Sequence, residues 1–366
     1  MTKATNYQCP ACGGPLHFGG ASNKLECDYC GSSYEVSYID NLYKEKIDAA
    51  KKENKQEENQ ADAQAETFDK ESSAEKINLK SYNCPSCGAQ LFCDEVTASV
   101  SCPYCGNNQV IATQFNGGKM PDMIIPFKLD KNSAIEGLKK HYKGKKLLPS
   151  VFSTQNHIEE VKGVYVPFWL FDGKVDADLD FTATRSKTSY TSTETITTTS
   201  HYKINRKGSV SFDKISVDAS KKMDDALMDS IEPFDYDQMV PFSTSYLPGF
   251  FAEVYDVSED ECFERAKKRA ENTAVDEISN SVTSYESVNI VNKNIKVIKE
   301  KTLYAFLPVW VLSTKWKDKN FIFAMNGQTG EMVGNLPVDK GKFFKYLMLI
   351  TLGVAAVVTP IVYFLF

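Results

Sequence analysis

The sequence lacks an apolar run near its N-terminus, where MTKATNYQCPAC contains the first cysteines. A secretory signal requires such a run, so we expect the cysteine-bearing part of the chain to be cytosolic. In a reducing compartment, closely spaced cysteines bind metal more often than they form disulfides. The cysteine pairs of this chain are therefore interpreted first as metal ligands.

The sequence also lacks the signatures of common enzymes. It contains no G-x-x-x-x-G-K-[ST] phosphate loop, no H-E-x-x-H pair and no G-x-S-x-G nucleophile turn. Its four histidines are scattered without a recognisable acid–base setting. His17, close to the first cysteines, is interpreted as a solvated residue and not as a neighbour of a metal. We therefore predict that the protein is not an enzyme, and a membrane-bound enzyme of unrecognised type is the weakest alternative.

An excess of positive charge is missing as well. The 366 residues carry 42 Lys and Arg against 48 Asp and Glu, a formal net charge of −6. Segment 1–44 has three lysines against four carboxylates, and segment 81–119 has one lysine against two. Nucleic-acid binding needs a basic surface, so we favour protein–protein contact for the two cysteine-bearing segments. The densest basic cluster is interpreted as a solvated helix end or a surface facing anionic lipid headgroups. Its members are Lys139, Lys140, Lys143, Lys145 and Lys146.

What the sequence does have is a repeated cysteine unit. CPACGGPLHFGGASNKLECDYC and CPSCGAQLFCDEVTASVSCPYC each hold two Cys-x-x-Cys pairs separated by fourteen residues. Each pair turns two sulfurs toward one point, so four thiolates can close a tetrahedral shell around Zn²⁺. The predicted ligands are Cys9, Cys12, Cys27 and Cys30 in the first unit and Cys84, Cys87, Cys102 and Cys105 in the second. The glycine after each pair eases the backbone into the tight turn. These glycines are Gly13, Gly31, Gly88 and Gly106.

A shell of four cysteines leaves no position for water or substrate, so both zinc sites are predicted to be structural. Disulfides are the alternative that a reducing compartment disfavours. Iron in a rubredoxin-like site stays open as a second alternative, because the same four-sulfur shell accepts it. Cys93 and Cys262 lie outside the two ligand sets and are interpreted as small buried apolar residues.

The chain is predicted to be multidomain. Residues 1–40 and 81–113 are predicted to be small β zinc ribbons, and residues 41–80 a charged linker, either disordered or a solvated helix. The linker lacks the apolar spacing of a coiled coil. Residues 120–338 are predicted to be an α+β domain, and residues 343–366 a transmembrane tail anchor.

The α+β domain shows signs of two diverged strand–helix–strand units. FKLDKNSAIEGLKK (127–140) aligns with YDVSEDECFERAKK (255–268) at a constant offset of 128. A Pro-x-Trp motif also recurs at 167–169 and 308–310, each time entering an apolar strand whose aromatic residues are interpreted as core. Common α+β patterns produce similarity of this strength too, so chance resemblance remains an alternative.

Strand and turn signals fill the rest of this domain. Residues 182–200 are mostly Ser and Thr, which predicts a long β-hairpin or meander with a turn at residues 206–208. The alternating aspartates of DADLD (176–180) are interpreted as a solvated strand face and not as a cation site. Asn326-Gly327 predicts another turn between strands. A Ser258–Glu261 capping box predicts the start of a helix.

The C-terminal end carries a long apolar run. Tyr346 to Phe366 are 21 consecutive residues without a charge, about 32 Å as a helix, which is enough to cross a bilayer core. Lys340, Lys342 and Lys345 precede the run and no Lys or Arg follows it, which predicts that the N-terminal side is cytoplasmic. We therefore predict a single-pass tail anchor; a buried core helix is the disfavoured alternative.

Several stretches together resemble a known family. The paired ribbons, YVPFWLFDGKVDADLDF, DSIEPFDYDQMVPFSTSYLPGFFAEVYDV, FIFAMNGQTGEMVGNLPVDK and the apolar tail are similar to bacterial TFIIB-type zinc-ribbon membrane proteins. Members are often labelled as relatives of the primosomal helicase, a label from which this chain departs because it has no nucleotide-binding loop. Some similar proteins are encoded beside flotillin-like SPFH proteins and phage-shock-type proteins. The resemblance thus implies a partner in a membrane-stress or membrane-organising complex.

These observations lead to one principal hypothesis. The protein is expected to be a non-enzymatic, tail-anchored adaptor whose two zinc ribbons, joined by a charged spacer, recruit or scaffold protein partners at the cytoplasmic face of a bacterial membrane. A nucleic-acid-binding or replication-associated protein is the alternative. A small-molecule substrate is not expected.

Overall fold

The computed structural model describes residues 7–45, 80–93, 102–105, 111–114, 119–153, 161–317 and 319–365. Most of the predicted linker lies outside the described residues, as do Gly106, His157 and the side chain of Cys93.

The described residues form a sheet-rich fold with few helices. The strands are β1 (His17–Gly19), β2 (Lys24–Glu26), β3 (Ser33–Glu35), β4 (Lys80–Asn83), β5 (Gln90–Cys93), β6 (Ile111–Gln114), β7 (Met123–Ile124), β8 (Lys162–Tyr190), β9 (Thr195–Asp218), β10 (Val240–Pro241), β11 (Phe251–Glu253), β12 (Ser287–Trp316), β13 (Lys319–Asn326) and β14 (Met332–Gly334). The helices are α1 (36–45), α2 (Lys131–Tyr142), α3 (Asp225–Ser230), α4 (Glu259–Asn280) and α5 (Lys340–Leu365).

Two sheets organise these strands. The first cysteine unit forms a small antiparallel sheet in the order β1-β2-β3. The other strands form one large mixed sheet in the order β10-β7-β12-β8-β11-β5-β4-β6, with β9 added to β8 and β13-β14 added to β12. The strands of the second cysteine unit, β4 to β6, therefore belong to the same sheet as the α+β domain. Antiparallel pairing of β5 with β11 makes this join.

The centre of the large sheet has the symmetry expected of two strand–helix–strand units. The long strands β8 and β12 run antiparallel, and Val166 pairs with Leu307. β7 lies parallel to β12, with Ile124 beside Phe306. β11 lies parallel to β8 in the equivalent register, with Ala252 beside Tyr165. The first strand of each unit thus pairs in parallel with the last strand of the other unit.

The two helices of these units begin at equivalent caps. Asp130 caps α2 by accepting from the backbone N–H of Ser133. Ser258 caps α4 in a full capping box with Glu261, as predicted. Each helix thus has a capped start and an apolar face. The fully buried residues are Ala134 and Leu138 in α2, and Cys262 and Ala266 in α4.

Neighbouring residues of β8 serve two different cores, because side chains alternate between the faces of a strand. Tyr165 and Trp169 share a buried cluster with α2, α4 and the first cysteine unit. Val166 and Phe168 share another with α3 and the second cysteine unit. The two cysteine units thus contribute to the cores on opposite faces of one sheet.

β8, β9 and β12 extend beyond the domain as a long arm. Its apolar face packs against the second half of α4, where Ala177, Leu179 and Phe181 meet Ile278. Beyond Thr184 the arm consists of β8 and β9 alone, because β12 begins opposite that residue. Cross-strand hydroxyl pairs continue there, and the side chains from residue 189 to residue 203 are exposed.

The polar face of the arm holds the DADLD aspartates. Asp178 and Asp180 each accept a hydrogen bond from the side-chain amide of Asn205, at 2.7 and 2.8 Å. Lys207 lies 2.8 Å from Asp178. Amide and ammonium donors therefore occupy carboxylate oxygens that a bound cation would need.

One turn prediction is wrong. Residues 206–208 lie within β9, where Gly208 pairs with Ala177 of β8. The chain reverses instead between β8 and β9, where Thr191 and Glu194 close the turn by hydrogen bonds. Pairing with a 29-residue partner strand overrides the local turn tendency of Arg-Lys-Gly. The turn after Asn326 is confirmed, with Gly330 N–H donating to the Asn326 carbonyl at 2.9 Å.

The C-terminal helix α5 stands apart from these cores. Residues Lys340–Val362 have a mean hydropathy of 1.9, and none of that stretch is buried against the rest of the protein. Pro360 lies within the helix. By length and composition, α5 is a helix that can cross a membrane.

Candidate metal centres

The cysteine pairs sit in tight backbone turns that repeat one hydrogen-bond pattern. In the first turn, Gly13 N–H donates to the Cys9 carbonyl at 2.8 Å, and Cys9 N–H donates to the Gly14 carbonyl at 2.7 Å. The turns that begin at Cys27 and Cys84 have the same pair of bonds. Gly13, Gly31 and Gly88 all have φ between 70° and 75°, a conformation that favours glycine. This is the role predicted for these glycines.

The two Cys-x-x-Cys pairs of each unit come together as two four-sulfur clusters. In each cluster all four Sγ atoms lie within 4.8 Å of one another. The first cluster joins Cys9, Cys12, Cys27 and Cys30, and the second joins Cys84, Cys87, Cys102 and Cys105. The fourteen residues between the pairs are spanned by β1 and β2 in the first unit, so the loop returns the second pair to the first.

The sulfur spacing fits a tetrahedral metal site. The Sγ atoms of Cys9 and Cys30 lie 3.6 Å apart, and those of Cys12 and Cys27 3.5 Å apart. The corresponding distances in the second cluster are 3.5 and 3.7 Å. A tetrahedron with metal–sulfur bonds of about 2.3 Å has edges of about 3.8 Å. A disulfide needs about 2.05 Å, and the described cysteines are all free thiols.

Electrostatics within the clusters call for a cation. Burial disfavours the Cys9 thiolate, but hydrogen bonds from the Tyr34 hydroxyl and from its own turn lower the pKa of Cys9 to about 6. Backbone N–H groups likewise outweigh burial at Cys84 and lower its pKa to about 7. Burial instead raises the pKa of Cys87, close to Cys84, to about 11. Hydrogen bonds also lower the pKa of Cys30, so the surroundings favour some thiolates of each cluster, and a bound metal ion would allow all four to ionise together.

The first cysteine unit, here called ribbon 1 (residues 7–45), is fastened to the α+β domain. The backbone N–H of Phe18 donates to the Pro248 carbonyl at 3.0 Å. Asp40, on α1, accepts hydrogen bonds from the hydroxyls of Ser243 and Ser245. The ring of Phe18 packs edge-on against Tyr246 at a centroid distance of 5.3 Å. Ribbon 1 is therefore a docked module and does not hang freely on the linker.

The second cysteine unit, here called ribbon 2 (residues 80–114), is fastened more deeply. Tyr104 is 3% exposed, and its hydroxyl donates to the carboxylate of Glu253 at 2.5 Å. Ser220 donates to the other oxygen of the same carboxylate at 2.8 Å. The ammonium of Lys222 donates to the Cys87 carbonyl at 3.0 Å. Burial raises the pKa of Glu253 to about 8, although these hydroxyls oppose the shift. Burial thus favours the protonated form of this docked carboxyl.

Sequence reasoning missed both docking contacts. Tyr104 and Asp40 belong to short cysteine-rich stretches, and their partners lie more than 140 residues further along the chain. One signal was present: Glu253 is a lone carboxylate in the apolar strand sequence FFAEV. A buried acid of this kind needs a hydrogen-bonding partner.

The remaining single residues fall where the sequence suggested. The imidazole of His17 lies on β1 within 3.7 Å of the Glu26 and Asp28 carboxylates and is partly exposed, so its partners are carboxylates and not the sulfurs. Cys262 is fully buried in the core beside the Asp218 carbonyl. The prediction for Cys93 falls on a side chain outside the described residues.

Comparison with known proteins gives one clear relationship. No protein-family model and no solved structure matches the chain. The chain is similar to YdjG of Bacillus subtilis strain 168, a protein itself named as uncharacterized, with 32% identity over 311 residues. The alignment covers 72% of this chain and 91% of YdjG, so the likeness extends over almost the whole relative. The chain therefore belongs to the same family as YdjG.

Proposed function

We propose that this protein is a non-enzymatic zinc-ribbon adaptor, anchored by α5 at the cytoplasmic face of a bacterial membrane. The observation that carries the proposal is the attachment of both four-cysteine clusters to the domain that bears the apolar helix. Two ribbons held in fixed positions beside a membrane form a rigid binding surface. The proposal keeps the predicted adaptor role but replaces freely tethered ribbons with docked ones.

Zinc is the proposed metal in both clusters. Four cysteine sulfurs complete a tetrahedral shell and leave no open position for a substrate, which supports a structural role. Iron accepts the same ligands, so the identity of the metal is part of the proposal. The metal would lock each pair of turns together, and its binding free energy would become folding free energy of the ribbon.

The orientation and the partners are proposed from the charge pattern and the family resemblance. Lysines precede α5, which favours a cytoplasmic N-terminal side. The resemblance to bacterial TFIIB-type zinc-ribbon membrane proteins favours a protein partner of the SPFH or phage-shock type. Segments 1–44 and 81–119 each have a net charge of −1, and this favours protein over nucleic acid as the partner.

Ribbon 1 offers a specific surface for such a partner. Tyr29 occupies the position in Cys27-Asp-Tyr-Cys30 that Tyr104 occupies in Cys102-Pro-Tyr-Cys105. Tyr104 is buried in contact with the domain, whereas Tyr29 is 78% exposed. Tyrosine is common at interface hot spots because it combines apolar area with a hydroxyl group. We therefore propose that Tyr29 contacts a partner protein, whereas Tyr104 contacts the α+β domain of its own chain.

The test is partner capture by the full-length chain from detergent-solubilised membranes, with mass spectrometry of the bound proteins. We expect Tyr29→Ala to reduce recovery of the principal partner about tenfold or more, the size of effect typical of a hot spot. Tyr190→Ala is the matched control, because Tyr190 is 79% exposed at the tip of the arm. Both variants are expected to retain metal and membrane association.

Two outcomes would overturn the adaptor proposal. One is equal recovery of the same partners by Tyr29→Ala, Tyr190→Ala and the unsubstituted chain. The other is DNA binding with a submicromolar, salt-sensitive Kd, which would favour the nucleic-acid alternative. The proposal itself expects a Kd for DNA above roughly 10⁻⁵ M near physiological salt.

A further inference from the structure

Exposed lysines surround the point where α5 leaves the α+β domain. They come from three separate segments: the end of α2 with the loop that follows, the β12–β13 turn, and the first turns of α5. Nine of the ten are exposed and Lys342 is half-buried. This set, the basic collar, consists of Lys139, Lys140, Lys143, Lys145, Lys146, Lys317, Lys319, Lys340, Lys342 and Lys345.

Hydrogen bonds fasten the loop after α2 to the start of α5. The backbone N–H of Asp339 donates to the Leu147 carbonyl at 2.8 Å. The ammonium of Lys342 donates to the Leu148 carbonyl at 2.6 Å. Leu148 is itself buried in the core. The lysines at 143 to 146 therefore lie beside the first turns of α5, although almost 200 residues separate them along the chain.

Aromatic packing brings the β12–β13 turn to the same end of the domain. Phe152, which follows the loop, packs against Phe321 at a centroid distance of 5.6 Å and against Trp316 at 6.5 Å. Tyr142, at the end of α2, packs against Phe323 at 5.5 Å. Lys317 and Lys319 flank the tip of this turn, so all three segments of the basic collar belong to one end of the molecule.

The charge of the basic collar is not compensated within the described part of the chain. None of its lysines has a carboxylate oxygen within 4.0 Å there, whereas Lys207 and Lys24 elsewhere are paired with carboxylates at 2.8 and 3.0 Å. The first turn of α5 contains no acidic residue. The Asp339 carboxylate caps α5 by accepting from the backbone N–H groups of Gly341 and Lys342, so it offsets the helix dipole rather than pairing with the lysine ammonium groups. Those ammonium groups remain available to an external anion.

The position along α5 identifies the source of that anion. Lys340 precedes the uncharged run that begins at Tyr346 by six residues, about 9 Å along a helix. The headgroup layer on each side of a bilayer is about 6 Å deep. Phe343 and Phe344 are exposed in the same turns, and Tyr346 is exposed where the uncharged run begins, a position that tyrosine favours at a membrane interface. When α5 spans a bilayer, the basic collar lies at the depth of the phosphates.

We propose that the basic collar binds anionic phospholipid headgroups and holds the α+β domain against the membrane surface. This inference rests on the proposed membrane anchor. Its consequence is that the domain has a defined orientation on the bilayer. A chain tethered by α5 alone would turn freely.

The test is lysine labelling of the full-length chain in vesicles, read out residue by residue with mass spectrometry. Proteoliposomes of phosphatidylcholine alone are compared with proteoliposomes containing phosphatidylglycerol, using a neutral amine-reactive reagent. We expect labelling of the lysines at 139 to 146 and at 317 to fall roughly three- to fivefold in the anionic vesicles. The effect should disappear at high salt, because screening shortens the range of the attraction. The arm lysines Lys203, Lys293 and Lys296 should label equally in both.

Variants make the test specific. Lys143→Gln/Lys145→Gln/Lys146→Gln should abolish the lipid-dependent protection of Lys139, Lys140 and Lys317. Lys203→Gln/Lys293→Gln/Lys296→Gln removes three exposed lysines from the arm and should preserve it.

Three results would overturn the inference. If the chain floats with both kinds of vesicle but the basic collar is labelled equally in both, this inference is wrong and the membrane anchor stands. Stronger protection by a DNA oligonucleotide in phosphatidylcholine vesicles than by phosphatidylglycerol would assign the surface to nucleic acid. Failure of the chain to float with any vesicle would overturn the membrane anchor and this inference together.

Discussion

At the scale of single residues, one tyrosine position has two different environments. Tyr104 of ribbon 2 is buried against Glu253, and Tyr29 of ribbon 1 is exposed. The surrounding residues explain part of the difference, because ribbon 2 continues the large sheet through β5 and β11 and carries its second Cys-x-x-Cys pair inward. Ribbon 1 docks through Phe18 and Asp40 instead, which leaves Tyr29 and Cys30 exposed while Cys27 is buried.

Glu253 gives the docked ribbon a pH dependence. Burial raises the pKa of Glu253 to about 8, with opposing hydrogen bonds from Tyr104 and Ser220, a further rise from Asp256 and a lowering by Lys222. In the unfolded chain the carboxyl ionises near 4.3. Between these values the folded protein keeps a proton that the unfolded chain releases, so the free energy of unfolding falls as pH rises toward 8 and then levels off.

We therefore predict that Glu253→Gln reduces the decline in the free energy of unfolding between pH 5 and pH 8. The reduction is on the order of a few kcal/mol, from about 1.4 kcal/mol per pKa unit. Denaturant unfolding followed by tryptophan fluorescence measures it. Glu277→Gln, at an exposed position on α4, is the matched control. Identical pH profiles for the Glu253 variant and the unsubstituted chain would show that the carboxyl is ionised in the folded state.

The residue scale also shows what the sequence can and cannot predict. The eight clustered cysteines were predictable because each pair closes over two residues, and Gly13, Gly31 and Gly88 shape the turn after three of the pairs. Cluster formation in each unit needs only a short hairpin. The Tyr104–Glu253 contact spans 149 residues, and no local pattern specifies which distant carboxylate a tyrosine will meet.

At the scale of elements, the α+β domain repeats one set of contacts. Trp310 donates its indole N–H to the Leu129 carbonyl at 3.1 Å. Trp169 donates to the Val257 carbonyl at 3.4 Å. Leu129 and Val257 each stand directly before the cap of a helix, at the offset of 128 seen in the sequence. Each tryptophan therefore fixes the start of the helix that belongs to the other unit.

This arrangement predicts the cost of removing either indole N–H group. Trp310→Phe should destabilise the domain by about 1–3 kcal/mol, because a half-buried carbonyl loses its partner, and Trp169→Phe by somewhat less because its bond is longer. Trp316→Phe, at the half-buried end of β12, serves as the control with a smaller effect. Thermal and denaturant unfolding followed by circular dichroism measures all three. If the first two cost no more than the control, these contacts do not hold the units together.

Element boundaries were predictable where the determinant was local. The Ser258 cap and the turn after Asn326 depend on residues within a few positions, and both were predicted. The length of β8 and β9 was not, because a strand of 29 residues is specified by partners on both of its sides. The same pairing explains why residues 206–208 continue a strand despite their turn-forming composition.

At the scale of the whole molecule, the two ribbons, the domain and the apolar helix form one connected assembly. Ribbon 1 and ribbon 2 join cores on opposite faces of the large sheet. α5 leaves the end of the domain where the basic collar lies, and the arm of β8, β9 and β12 extends from the sheet beyond the helices that cover it. The proposed adaptor would therefore present several surfaces in fixed relation to the membrane.

The central claim is that both four-cysteine clusters are structural zinc sites in this assembly. X-ray absorption spectroscopy of the purified full-length chain, calibrated by its total metal content, tests this claim most directly. The account predicts two zinc ions per chain, each with four sulfur neighbours at about 2.3 Å and no nitrogen or oxygen neighbour. Fewer than one zinc ion per chain, iron in place of zinc, or cysteines joined as disulfides would contradict it.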